Sequence, residues 1–151
     1  MIRPPRMKIE RTADRVVVEK SARKLTLLRG DVVLKTYRVA LGGTPIGHKQ
    51  EEGDGRTPEG VYQVDFHKPD SGYHLALHIS YPNAQDRERA AARGVSAGGD
   101  VMIHGLRNGT GALGAAHRVR DWTAGCIAVT DEEIEELWRK VPDGTAIEIL
   151  P

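Results

Sequence analysis

Three runs of strand-forming residues open the chain, Arg15 to Glu19, Lys24 to Arg29 and Val32 to Leu41, with only Lys20-Ser21-Ala22-Arg23 and Gly30-Asp31 between them. Such connections are too short for a crossover, so the runs are expected to be antiparallel neighbours in a meander. The same punctuation continues downstream, where seventeen glycines and eight prolines break the chain into short β-type runs and only two stretches carry helical signals. A mainly β domain with two or so short helices follows. Gly60 to Phe66 and Tyr73 to Ser80 extend the pattern. In the second, Tyr73, Leu75, Leu77 and Ile79 share one face and His74, Ala76, His78 and Ser80 the other, which predicts a core face and a face free to line a cleft.

The helices are marked by their caps. Asn83 before Ala84 to Arg93, with Asp86 at the third helical position and Gly94 as a stop, predicts one. Thr130-Asp131-Glu132-Glu133 has the capping-box spacing for the other, and Ile134, Leu137, Trp138 and Val141 give it an apolar face. Pro142-Asp143-Gly144 then turns the chain into a last strand, Thr145 to Leu150, which buries Ile147 and Ile149 or their neighbours. Two long glycine-rich segments remain, Gly42 to Gly60 and Gly105 to Thr123. Segments of that length in a compact domain are usually functional or disordered.

At 151 residues the chain is expected to be one domain. Its charges nearly cancel to a formal +1, which argues against nucleic acid and against a polybasic membrane patch. No apolar stretch approaches the ~20 residues of a membrane span. Met1 to Lys8 has charge but no apolar core, so no signal peptide is visible in this sequence.

The chemistry concentrates around the single cysteine. Cys126 lies in Thr123-Ala124-Gly125-Cys126-Ile127, 22 residues after His104 in Ile103-His104-Gly105. A lone thiol forms no internal disulfide, and a free cysteine is often just a small core residue. Its neighbours favour a nucleophile: a thiol needs a base within reach and that base needs an orienter, here the carbonyl of Gly105. Consecutive backbone N–H groups at Gly125 and Cys126 could hold an oxyanion, with the Thr123 hydroxyl nearby. The intervening loop could form a lid over the two.

Competing chemistries are weaker. His74 and His78 would stand roughly 13 Å apart on a strand, too far to share an ion, leaving His104, His117 and Cys126 as the conceivable metal set. Gly42 to Lys49 superficially has the look of a phosphate loop. Its lysine falls one place late, no Ser/Thr follows, and Pro45 removes an N–H, so nucleotide binding is rejected. Glu51-Glu52-Gly53-Asp54 has no ordered calcium register and reads as a solvated loop. Arg107, Arg118 and Arg120 precede the thiol and could lower its pKa or hold a substrate carboxylate.

Taken together, these motifs resemble the L,D-transpeptidase catalytic domain family, the YkuD-type cysteine enzymes of bacterial peptidoglycan. The resemblance runs from about Asp14 to Ile149 and rests on Val16 to Ser21, Thr57-Pro58-Glu59-Gly60, Ile103-His104-Gly105 and Thr123-Ala124-Gly125-Cys126. It implies a β-sandwich-like catalytic domain over residues 14–151 after an N-terminal extension, 1–13, with no metal or organic cofactor. It further implies Cys126 as nucleophile, His104 as base, the Gly105 carbonyl as third member, Thr123, Ala124 and Gly125 as the nucleophile motif, and His78, Tyr81, Asn83 and Arg120 as substrate contacts. The implied substrate is a peptidoglycan stem peptide whose acyl group passes to an amine, a second stem or a lipoprotein lysine. The implied location is the periplasm or another extracytoplasmic part of the envelope. Two departures stand out: Ala124 replaces the family's usual histidine and Ala128 its Arg/Asn. The stretch His74 to Arg87, with Ala-Gly-Cys, resembles a branch that includes peptidoglycan peptide hydrolases, which makes water the alternative acceptor; a non-catalytic cell-wall-binding β-domain, in which Cys126 is a buried core residue, is the remaining alternative.

Overall fold

The computed structural model describes residues 11–151, so most of the expected 1–13 extension lies outside the described residues. Eight strands form one sheet: β1 (Arg15–Glu19), β2 (Lys24–Arg29), β3 (Val32–Arg38), β4 (Gly60–Ser71), β5 (His74–Ile79), β6 (Met102–His104), β7 (Ile127–Ala128) and β8 (Thr145–Leu150). Two helices, α1 (Ala84–Ala92) and α2 (Asp131–Lys140), complete it. The spatial order is β3-β2-β1-β8-β4-β5-β6-β7. The expected meander is there, β1 with β2 and β2 with β3, both antiparallel. Its inner edge takes β8 in parallel, Val16 opposite Ile147 and Val18 opposite Ile149, so the last strand of the chain staples the first into the middle of the sheet.

The sheet curls until its ends meet. β3 stops at Arg38, short of the expected Leu41, yet Ala40 exchanges both backbone hydrogen bonds with Ala128 (3.0 and 2.9 Å), and Gly42 bridges to Thr123. The result is a mainly β, curled sheet whose two flanks face each other across one core, with one continuous ladder making both layers. Val16, Val18, Leu25, Leu27, Ile103, Ile127 and Ile147 are fully buried in it. Removing side chains of this size from water stabilises the fold by about 1.5–3 kcal/mol each before entropy is counted.

Both helices begin where their sequences predict. Asn83 and Asp86 form a reciprocal capping box on α1, and Thr130 and Glu133 do the same on α2, each satisfying N–H groups that a helix start leaves orphaned. α2 lays Ile134 and Leu137, both at 0% exposure, over β5 and β6, and thereby backs the strand that carries His104. One expectation fails at the start of β5. His74 has φ +71°, which turns the chain so that Tyr73 leaves the Leu75 face and stacks on His104 instead.

Candidate active site

β6 and β7 lie side by side in parallel, Ile103 opposite Ile127 and His104 opposite Ala128. One residue back, this register sets Met102 beside Cys126, and the two-residue alternation of strands gives His104 and Cys126 the same face. The imidazole is 4% exposed, stacked on Tyr73 at 4.3 Å between ring centroids and tilted against Trp122 at 5.8 Å. Its Nδ1 is 2.7 Å from the carbonyl oxygen of Gly105. A carbonyl only accepts, so Nδ1 carries the proton and Nε2 keeps a lone pair. Burial lowers the pKa of His104, against the Gly105 carbonyl and with the help of His117, which keeps the ring in its neutral, proton-accepting form.

The turn before β7 is stitched by one hydroxyl. Thr123 Oγ1 donates to the Cys126 carbonyl at 2.7 Å and accepts from the Gly125 N–H at 3.1 Å. The Gly125 N–H, one of the two donors expected to face an oxyanion, is therefore already engaged within the turn. Around this turn the backbones are in contact. A Cβ on Gly42 would lie 2.1 Å from the Gly55 carbonyl oxygen, and one on Gly125, at φ +142°, would lie 2.7 Å from that of Arg56. The Thr-Pro-x-Gly segment holds the same wall: buried Thr57 accepts the Gly42 N–H at 3.2 Å, and its carbonyl accepts from buried Lys20 at 2.7 Å.

The thiol occupies a small cavity of about 180 Å³, lined by Lys49, Glu52, Asp100, Val101, Ala124 and Gly125 among others. Sγ donates to the Asp100 carbonyl at 3.4 Å, so it is a protonated thiol turned along β6. Burial raises its pKa and Asp100 adds to this, while the Met102 N–H and Lys49 pull it down. Lys49 is the residue that sequence reasoning passed over. The 51–54 segment, expected as a solvated loop, instead grips it: the Lys49 ammonium is 4% exposed and bonds Asp54 Oδ1 at 2.8 Å and the Glu51 carbonyl at 3.2 Å. The signal available was a lone lysine among glycines close to the Thr-Pro-x-Gly segment.

On the other side of His104, the loop from Gly105 to Thr123 is less irregular than expected. Residues Gly111–Val119 form short 3₁₀ turns broken at Gly114. The loop is pinned by Asp131, which accepts the Leu106 N–H at 2.8 Å, and by the Arg118–Glu133 pair. With Tyr73 it encloses a cleft of about 530 Å³ lined by Leu106, Arg107, His117, Arg120 and Trp122. The Trp122 indole N–H donates to His117 Nδ1 at 3.3 Å, and His117 Nε2 is buried without a partner among the described residues.

Of the expected substrate contacts, only Arg120 faces this cleft. Tyr81 is 2% exposed, its hydroxyl bonded to the Ala97 carbonyl at 2.8 Å, so it lies inside the fold. Asn83 is spent on the cap of α1 beside a separate groove, and His78 bonds Asp65 at 2.7 Å while stacked on Phe66. The conceivable metal set does not converge: among the described residues no three or more His, Cys, Asp or Glu side chains could hold one ion. Among them, too, no helix is long and apolar enough to cross a membrane.

Comparison with known proteins decides the family. The L,D-transpeptidase catalytic domain (YkuD) model matches residues 13–149. The chain belongs to this family. YafK of Escherichia coli (strain K12), itself named an L,D-transpeptidase on a provisional basis, is 35% identical over 112 residues, 72% of this chain and 37% of YafK. The chain thus spans little more than a third of that relative's length. Its fold is similar to that of the helical cell shape determining protein Pgp2 from Campylobacter jejuni (TM-score 0.67, 23% identity, 89% of this chain and 46% of that one). Mycobacterium tuberculosis L,D-transpeptidase 1 shares it as well (TM-score 0.55, 17% identity, 91% and 60%). Within this L,D-transpeptidase domain the two departures from the usual motif have different surroundings: Ala124 is exposed, whereas Ala128 is fully buried and paired with Ala40.

Proposed function

We propose that the domain is a cysteine acyltransferase acting on the L,D-peptide bond of peptidoglycan stem peptides. Cys126 Sγ swings from the Asp100 carbonyl toward His104, gives its proton to Nε2 and attacks the carbonyl carbon of the third stem residue, with the Cys126 N–H facing the developing oxyanion. The C–N bond breaks as His104 returns that proton to the departing amine of the terminal D-residue, which leaves a thioester on Cys126. An incoming amine then attacks the thioester while His104 takes its proton, the C–S bond breaks, and the departing Cys126 thiolate takes that proton back from His104.

The observation that carries this is the parallel pairing of β6 and β7, which gives one sheet face both the only thiol and a buried, neutral imidazole tied to Gly105. The departing D-residue has a carboxylate next to the nitrogen that His104 protonates. Arg107 and Arg120, neither of them in an ion pair among the described residues, line the cleft on that side and suit this group. A function on murein carries the location with it, outside the cytoplasm.

Incubation with purified tetrapeptide muropeptides, read by mass spectrometry, tests the proposal. Cross-linked dimers with released D-alanine are expected, and truncated stems alone would make water the acceptor. Unchanged turnover by Cys126→Ala would overturn both outcomes.

A further inference from the structure

Gly125 packs its bare Cα against the Arg56 carbonyl, and a buried cation stands beside the same spot: Lys49 Nζ lies 3.6 Å from the position of a Gly125 Cβ. Lys49 and Cys126 line the same cavity. Two of the three ammonium protons are used, on Asp54 Oδ1 and the Glu51 carbonyl, and the third has no partner among the described residues.

The pair is fixed from both ends. Asp54 Oδ1 also accepts from the Arg56 N–H at 3.1 Å, and Oδ2 accepts from the Gln50 and Glu51 N–H groups at 2.8 and 3.2 Å. Burial works against the Asp54 charge, but Lys49 and these backbone donors outweigh it and hold the carboxyl down at about 2. The Asp54 carboxylate is therefore ionised at neutral pH and fixed against Lys49, whose Nζ is on the side of the Gly125–Cys126 turn. The other charges facing the thiol are Glu52 and Asp100, both negative, while His78 Nε2 stands 3.9 Å from Asp100 Oδ1. Among the described residues, Lys49 is thus the sole cation lining the cavity.

We propose that Lys49 is a positioning residue whose ammonium favours the Cys126 thiolate, and that Asp54 holds it in place while partly cancelling its charge. This rests on Cys126 being the nucleophile. A thiolate forming in a half-buried cavity is charge that water solvates only in part, and a fixed cation lining the same cavity lowers its cost. The paired carboxylate has the opposite sign and acts from farther away, so removing either partner shifts the thiol in opposite directions. A lysine that merely tied the 49–56 segment together would not produce that opposition.

The test is the pH profile of Cys126 alkylation by iodoacetamide, followed by intact mass, on the folded protein. Lys49→Met is expected to move the midpoint alkaline by about one unit, a roughly tenfold loss of rate at a fixed pH below both midpoints. Lys49→Arg keeps the parent profile to within a few-fold, and Asp54→Asn moves the midpoint toward acid. Coincident profiles for Lys49→Met and the parent, or shifts of Lys49→Met and Asp54→Asn in the same direction, overturn the proposal. If Lys49→Met does not fold, an Asp54→Asn profile that is unmoved or moved alkaline overturns it alone. Alkylation needs no stem peptide, so a Lys49 effect without muropeptide turnover would fault the proposed function and leave this inference standing, and turnover without a Lys49 effect would do the reverse.

Discussion

The guanidinium of Arg23, in the turn between β1 and β2, grips the carboxylate of Asp121, five residues before the thiol: Nη2 is 2.7 Å from Oδ2 and Nε is 3.2 Å from both oxygens. Oδ1 also accepts the Leu41 N–H at 3.0 Å. One carboxylate thus ties the start of the nucleophile segment to the meander and to the chain that closes the sheet. Asp121→Ala leaves the Leu41 N–H and a partly exposed arginine without it, and is expected to cost about 1–2 kcal/mol after allowance for solvent screening. Urea unfolding should show a lower midpoint with an unchanged slope. A variant as stable as the parent would mean that the pair is only a surface contact.

His104 and His117 give the fold an acid limb. Burial lowers both pKa values from the ordinary 6.5, with Arg118 reinforcing it at His117. Between the lowered folded values and the unfolded 6.5 the unfolded chain binds more protons, so stability is complete above about 6.5 and is lost as pH falls from there toward the folded values. Urea midpoints at pH 7.5, 6.5 and 5.5 should fall in that order, and His117→Gln should flatten the decline. The same slope in parent and variant would remove His117 as a source.

The meander, both helix starts and the last strand were legible because each is written locally, in strand runs, short turns and capping boxes. The Thr-Pro-x-Gly, His-Gly and Gly-Cys segments also announced themselves as motifs. What the sequence could not carry was long-range. Nothing local says that Ala40 pairs with Ala128, that Tyr73 reverses its face at the positive φ of His74, or that Lys49 is buried against Asp54 beneath Gly125. Nor does anything local say that Tyr81, which the family resemblance implies as a substrate contact, has its hydroxyl on the buried Ala97 carbonyl.

Thr123 should matter through its two hydrogen bonds and not through contact with substrate. Thr123→Val removes the acceptor of the Gly125 N–H and the donor to the Cys126 carbonyl in a buried turn, for an expected loss of about 1–3 kcal/mol in stability. It should also lower muropeptide turnover at least about tenfold, because displacement of a nucleophile by fractions of an ångström to an ångström is costly. Thr123→Ser keeps the hydroxyl and should recover most of both. Paired urea unfolding and turnover measurements check this, and a valine variant with parental turnover would detach the turn's geometry from the chemistry.

The two motif departures should respond oppositely to restoration. Ala124 is exposed on the rim of the thiol cavity, so Ala124→His meets solvent and should change stability by no more than about 0.5 kcal/mol. Ala128 is at 0% exposure, and its backbone is committed to Ala40 in both directions. Ala128→Asn brings a larger side chain into a packed site and buries an amide with no partner provided, costs that together amount to about 2–5 kcal/mol. Urea midpoints of the two variants should therefore separate widely. Equal midpoints would mean that the face Ala128 shares with His104 has room for the polar residue common in this family, and burial would then no longer explain why alanine stands there.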